Sequence, residues 1–150
     1  MRLALFEPDI PQNTGTLMRL CACLGVPLDI IEPCGFVLSD KNLRRAGMDY
    51  IDSLDMLRHA DWAAFCAAHK GAKRVLMTTK SDSSYLDFTF QKGDILIAGR
   101  ESAGVPDEVH QACEARISVP MQSGMRSLNV ALASAMILGE ALRQVKGFPP

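Results

Sequence analysis

The sequence predicts an α/β protein built on an open, mostly parallel sheet with helices on both faces. Two observations carry that reading. Short apolar runs such as "LALF" (Leu3 to Phe6), "VLM" (Val75 to Met77) and "ILIA" recur along the chain, unbroken by polar residues. Unbroken runs, as opposed to alternating ones, mark strands covered on both faces. Between the runs lie stretches with helical spacing and helix stop signals, and strand–helix alternation is the pattern of parallel crossover units.

The elements follow in order. Leu3 to Phe6 is a strand, and "PQNTGTLMRLCACLG" is a helix with Asn13 or Thr14 as its N-cap and Gly25 as its stop. "VPLDIIEP" is a second strand, and "KNLRRAG" a short helix that again ends at glycine. A weakly extended segment spans Ile51 to Leu54. "HADWAAFCAAHKG" then forms an amphipathic helix with Trp62, Phe65 and Cys66 turned inward. "KRVLMTT" and "GDILIAG" are strands, "PDEVHQAC" opens a helix at its proline, and "ARISVP" is a last strand. Ser127 to Val145 forms a long final helix in which Ala131, Ala135 and Gly139 make a stripe of small side chains beside Leu128, Leu132 and Met136. Such a stripe allows close helix packing. A helix apolar nearly all round needs cover on most sides, and a second subunit is the expected source.

With 150 residues, 48% of them hydrophobic and 22% charged, the chain is expected to form one domain spanning residues 1–150. It has no apolar run approaching the roughly 20 residues a bilayer requires, and "MRLALFEPDIP" lacks the features of a signal peptide. No membrane association and a cytoplasmic location are therefore expected. The net charge of −1 excludes a protein that coats nucleic acid indiscriminately. It leaves room for local clusters. In "DKNLRRAGMDY", spacings of three and four put Lys41 on one helix side with Arg44 and Arg45. The five cysteines lack zinc-site spacing and read as reduced, small core residues. The three histidines are widely separated, with His59 and His69 flanking a helix; they read as surface residues, and no metal is expected.

Ligands of parallel α/β sheets collect where strands end and loops lead into helices. Four polar or glycine-rich loops occupy such places: "PQNTGTLMR", "TTKSD", "AGRESAGVP" and "VPMQSGMRSLN". The glycines cluster late in the chain, and neither a P-loop nor a G-x-G-x-x-G fingerprint is present. A dinucleotide-dependent oxidoreductase is the weaker alternative for that reason.

The order of these loops resembles the SPOUT superfamily of α/β-knot methyltransferases, over essentially the whole chain. The likeness is closest to the small tRNA ribose 2′-O-methyltransferases that act on the wobble cytidine or uridine. Asn13, Gly15 and Arg19 match the first motif, N-x-G-x-x-x-R. "LIAGRESAGVP" matches the second through Gly99, Glu101 and Gly104, and "PMQSGMRSLNV" the third through Arg126, Ser127 and Asn129. "LRRAGMDY" resembles the signature of the wobble-position enzymes.

The resemblance implies a C-terminal deep trefoil knot whose loops hold S-adenosylmethionine, released as S-adenosylhomocysteine. Backbone at Met77, Gly99, Gly104, Val119 and Leu128 should line that cofactor, with Ser127 close by. Arg19 is the implied catalytic group. Because a guanidinium is a poor base, its role would be to steady the developing alkoxide and the nucleotide's phosphate. Asn13 would orient Arg19 or bind ribose, Glu101 would hold Arg19 or Arg126, and Asn129 would fix the third-motif turn. Lys41, Arg44, Arg45 and Arg126 would contact tRNA. The implied assembly is a homodimer in which Arg19 of one subunit serves the cofactor of the other. Arg100, where relatives often carry proline, and Gly139, where an aromatic is common, depart from the family pattern. Another RNA target such as rRNA, or a non-catalytic RNA-binding knot protein, is the alternative.

Overall fold

A computed structural model describes residues 1–39 and 51–150. Lys41, Arg44, Arg45 and the helix expected around them lie outside the described residues. The elements are β1 (Arg2–Phe6), α1 (Pro11–Leu24), β2 (Leu28–Ile31), a 3-10 turn (Ile51–Ser53), β3 (Met56–His59), α2 (Trp62–Ala68), β4 (Arg74–Met77), β5 (Ile95–Ala98), α3 (Asp107–Ala112), β6 (Ala115–Ile117) and α4 (Val130–Val145). The six strands form one sheet in the order β3-β2-β1-β5-β4-β6. Every pairing is parallel. The chain winds outward from β1 through β2 to β3, then crosses to the other side of β1. That reversal opens a crevice at the carboxyl ends of the central strands.

Strand side chains alternate between two cores. Leu3, Leu5, Leu28, Ile30, Val75 and Leu96 face α1 and α4, where Leu17, Met18, Ile137 and Leu138 complete the larger cluster. Ala4, Phe6, Ile31, Leu76, Ile95 and Ile97 face the other way, onto Phe65 of α2 and Val109 of α3. Burying each large aliphatic side chain contributes about 1.5–3 kcal/mol, so both faces are strongly determined.

Three boundaries differ from the sequence reading. α1 starts at Pro11, with Ile10 as an N-cap that offers no side-chain hydrogen bond. Proline suits the first helical turn because no N–H is needed there. Asn13 and Thr14 therefore lie inside the helix, and the Thr14 hydroxyl donates back to the Ile10 carbonyl at 3.3 Å. β3 occupies Met56–His59, where no strand was expected, and Ile51–Ser53 is a 3-10 turn. As the edge strand, β3 leaves Leu57 and Arg58 exposed, so no apolar run marks it. α4 begins at Val130, three residues later than expected, because the Asn129 side chain accepts from the N–H groups of Ala131 and Leu132 and caps the helix. The Gly25 stop is as expected: the residue adopts φ 63°, a conformation glycine takes without penalty.

The small-residue stripe of α4 is also used differently. Ala131 belongs to the subunit's own core, whereas Leu132 and Met136 are 61% and 44% exposed. Among the described residues no helix is long and apolar enough to cross a membrane. All five cysteines are free. Burial pushes the Cys21 and Cys113 thiols up to about 12 and about 11, so they serve as core residues rather than nucleophiles. Cys23, in contrast, is exposed.

The histidine reading is overturned. His59 is 7% exposed and its side chain meets a fully buried carboxylate, Asp29. His69 reaches the same oxygen with only 13% of its side chain exposed. Burial pushes the Asp29 carboxyl up, but hydrogen bonds from Arg2, His59 and His69 outweigh it and hold the group below the usual carboxylate range. The histidines are buried because a buried acid on β2, next to the edge strand, needs partners.

Candidate active site

A cavity of about 530 Å³ opens at the carboxyl ends of β4, β5 and β6. Its wall comes from the residues after β4 (Met77 to Lys80), the whole loop after β5 (Gly99 to Val105), the segment after β6 (Ser118, Val119, Met121) and the approach to α4 (Arg126 to Val130). Asn13 and Ile10 close it from α1. Of the residues singled out from sequence, Asn13, Met77, Gly99, Glu101, Gly104, Val119, Arg126, Ser127, Leu128 and Asn129 all line this one space. Arg19 does not. It lies on the exposed side of α1, away from the wall.

The loop after β5 is a tight reversal. Arg100 and Gly104 exchange backbone hydrogen bonds at 2.9 and 2.7 Å. Gly104 adopts φ +67°, and a Cβ on Gly99 would stand 2.9 Å from the carbonyl carbon of Gly104. Both glycines are thus required by geometry: one for a left-handed turn, the other for close approach of two backbone segments. The reversal leaves backbone facing the cavity where longer side chains would fill it.

Asn13 ties the loops together. Its side-chain oxygen accepts from the Asn129 amide at 2.9 Å, and its side chain also hydrogen-bonds the Glu101 carboxyl. Among the described residues of the subunit, Glu101 is held in turn by Asp9. The Asp9 N–H donates to Glu101 Oε2 and the Glu101 N–H to Asp9 Oδ1, both at 3.1 Å. The Ser102 hydroxyl also donates to Asp9. Two carboxyls in contact share a proton unequally. Burial, reinforced by Asp9, raises Glu101 above its ordinary value. The hydrogen bond from Glu101, with that of Ser102, holds Asp9 below its own. Of the two carboxyls, Asp9 is thus the stronger acid and Glu101 the weaker. Sequence reasoning missed Asp9, although its place two residues before the first loop's proline was the available signal.

The two departures from the family pattern have structural correlates. Arg100 lines the cavity and forms an ion pair with Glu7, so its charge is balanced within the subunit. A Cβ on Gly139 would meet open space, which places that position at the uncovered side of α4.

Two residues of the cavity wall carry buried polar atoms that have no hydrogen-bond partner among the described residues. Ser134, 1% exposed, presents an Oγ without a hydrogen-bond partner, and His110 presents an equally buried Nε2. Buried polar atoms are ordinarily paired. Two unpaired ones on the wall of one cavity fit a ligand that carries its own donors and acceptors.

Comparison with known proteins matches this geometry. The model of the SpoU rRNA methylase family matches residues 1–139. A tRNA (cytidine(34)-2′-O)-methyltransferase of Beijerinckia indica is 58% identical over 145 residues, 95% of this chain and 91% of that protein. A solved structure described as giving insights into the 2-OH methylation of C/U34 on tRNA superposes with a TM-score of 0.90. It is 40% identical, and 97% of this chain and 96% of that one are covered. The methyltransferase AviRb of Streptomyces viridochromogenes, solved in complex with the cofactor AdoMet, gives a TM-score of 0.81 at 28% identity. That match covers 96% of this chain and 60% of the other.

Proposed function

The chain belongs to the SpoU rRNA methylase family, and on that ground we propose that it transfers a methyl group from S-adenosylmethionine to the ribose 2′-oxygen of the wobble pyrimidine of tRNA. The observation that carries the proposal is one cavity at the strand ends into which all three sequence motifs deliver residues. A volume of about 530 Å³ falls in the range of small-molecule sites. The backbone-lined loop and the unpaired Ser134 and His110 atoms suit a nucleoside-like cofactor that bears no phosphate. S-adenosylmethionine, when bound, supplies a methyl group on a positive sulfonium for in-line displacement by the ribose oxygen.

The chain's own residues have to hold and align the reactants. Backbone at Met77, Gly99, Gly104, Val119 and Leu128 lines the cofactor site, with Ser127 at its edge. Alignment alone removes much of the barrier of such a reaction. The weakly acidic 2′-hydroxyl needs a stabilised alkoxide, and Arg19 is the group assigned to it. Arg19 lies outside the cavity of its own subunit, which fits action on the cofactor of a second copy. Leu128, Leu132 and Met136 leave an exposed apolar surface around the start of α4, suited to that dimer contact. Arg126 at the rim, together with Lys41, Arg44 and Arg45, is assigned to tRNA phosphates. A knot formed by the loops after β5 and β6, one domain over 1–150, and action in the cytoplasm complete the reading.

Nucleoside analysis of tRNA from a deletion strain tests it. The reading requires loss of a 2′-O-methylated pyrimidine nucleoside, restored by the intact gene. An unchanged nucleoside profile contradicts it.

A further inference from the structure

We propose that Asp29, His59 and His69 form a binding site for a single divalent transition-metal ion of the zinc class, separate from the cavity. The three lie on three different elements and are brought together by sheet register. Ala4 pairs with Asp29, and Asp29 with Leu57, across β1, β2 and β3. Arg2 is two residues before Ala4 and His59 two residues after Leu57, so Arg2, Asp29 and His59 point to the same face of the sheet. His69 follows α2, the helix that covers this face. The Nε2 atoms of His59 and His69 stand 2.7 and 3.1 Å from one carboxylate oxygen, Asp29 Oδ1. Among the described residues this is the one group of three metal-ligating side chains, with all donor atoms within 4.8 Å of one another.

Those spacings are close to what a metal requires. Zinc bonds of about 2.0–2.2 Å in tetrahedral geometry put neighbouring donors roughly 3.3 Å apart. The His69 distance of 3.1 Å is close to that value, and the His59 nitrogen, at 2.7 Å from the same oxygen, would have to draw back by roughly half an ångström to admit an ion. Two imidazoles and one carboxylate suit zinc, and also nickel or copper, and suit magnesium or calcium poorly. The surroundings already fix the donors. Phe65 packs its ring against both imidazoles, 5.4 Å from His59 and 5.1 Å from His69 between centroids. Arg2 Nε donates to the other oxygen, Asp29 Oδ2, at 2.7 Å, and its Nη2 makes a longer contact of 3.4 Å to Oδ1. A second hydrogen bond of this kind ordinarily orients a ligating carboxylate. The partial exposure of His69 gives an entry path. Binding would require each ring to carry its proton on Nδ1, leaving Nε2 free to ligate. The ion would then fasten the edge strand β3 and the end of α2 to β2.

None of the three residues lines the cavity, so metal binding and methyl transfer are separable. The test uses the full chain stripped with a chelator and titrated with Zn²⁺ against a chromogenic competitor. The proposal requires saturation at one equivalent per chain and a rise in melting temperature with added zinc. Because five free thiols are alternative ligands, Co²⁺ replaces zinc in a parallel sample. Its spectrum should show d–d bands without a thiolate charge-transfer band. In His69→Gln the amide retains a donor for Asp29, so the metal-free melting temperature should stay close to the parent. Its zinc affinity should fall at least by the roughly 10–100-fold seen for outer partners of metal sites. Should His69→Gln fail to fold, Asp29→Asn takes its place with the same readout. Absence of saturable binding, an affinity unchanged in the variant, or a thiolate band would each overturn the site.

Discussion

The side-chain amide of Asn129 donates to the side-chain oxygen of Asn13 at 2.9 Å, across 116 positions of sequence. The same Asn129 caps α4 through its own oxygen, which accepts from Ala131 N–H at 2.9 Å and Leu132 N–H at 3.3 Å. One residue thus ends the last loop and locks it to the first helix.

The two roles of Asn129 are separable by substitution. Asn129→Ala removes both and should destabilise the protein by about 0.5–2 kcal/mol, the usual cost of a lost N-cap. Asn129→Asp keeps the capping acceptor but has no donor for Asn13. It should melt near the parent temperature and still lose most methyl transfer. If its kcat/KM equals the parent's, the link to Asn13 has no part in assembling the site.

Gly99 and Gly104 should fail differently. Gly99→Ala places a methyl 2.9 Å from the backbone of Gly104, so the reversal must open and cofactor affinity should fall sharply. Gly104→Ala meets no atom within 4 Å but sits at φ +67°. Its penalty is conformational, about 1–2 kcal/mol, and should show mainly in stability. Calorimetry with S-adenosylhomocysteine beside thermal melts distinguishes the two; equal affinity for Gly99→Ala and the parent contradicts the assignment.

How much of this was legible beforehand depends on how local each feature is. The loop from Leu96 to Pro106 announced itself because a tight reversal needs glycine at fixed places, and the cavity gathers Asn13 with the residues of the two later motifs but not Gly15 or Arg19. The Asp9–Glu101 pairing was hidden because it joins residues 92 positions apart and neither neighbourhood looks unusual. Asp29 sits in an otherwise apolar strand, and only the register of β2 against β3 turns His59 toward it. β3 escaped notice because an edge strand need not be apolar on either face. Register and edge position are properties of the assembled sheet, and sequence periodicity does not encode them.

The shared-site account of Arg19 predicts complementation. Arg19→Ala should abolish methyl transfer while leaving cofactor affinity within a few-fold, because Arg19 lies outside the cavity wall. Mixing it with inactive Gly99→Ala should restore part of the activity through mixed dimers. Leu132→Arg, placed on a side chain already 61% exposed, should give a single-chain mass in light scattering and an inactive protein. An active monomer would refute the shared site.

The ion pair between Arg74 and Glu114 makes a pH prediction. Hydrogen bonds from Arg74 hold the Glu114 carboxyl down at about 2. A lowered folded-state value stabilises the protein above the unfolded carboxylate value of about 4.3, and that stability is lost as pH falls through the folded value. The Glu114 side chain is 42% exposed, so screening limits the gain to the roughly 0.2–1 kcal/mol of exposed pairs. Glu114→Gln should therefore melt slightly below the parent near neutral pH. The difference should close between about pH 4 and pH 2. A gap that persists at the acid end would mean the carboxylate's charge is not its source.

The central claim is methyl transfer to the wobble ribose, and the direct measurement is a transfer assay with purified protein, radiolabelled S-adenosylmethionine and two synthetic tRNAs. One carries an ordinary ribose at the wobble nucleotide and the other a 2′-deoxyribose at that position alone. The account predicts label on the first, located by digestion to a 2′-O-methylated pyrimidine, and none on the second. Equal labelling of both tRNAs would place the methyl group elsewhere and contradict it.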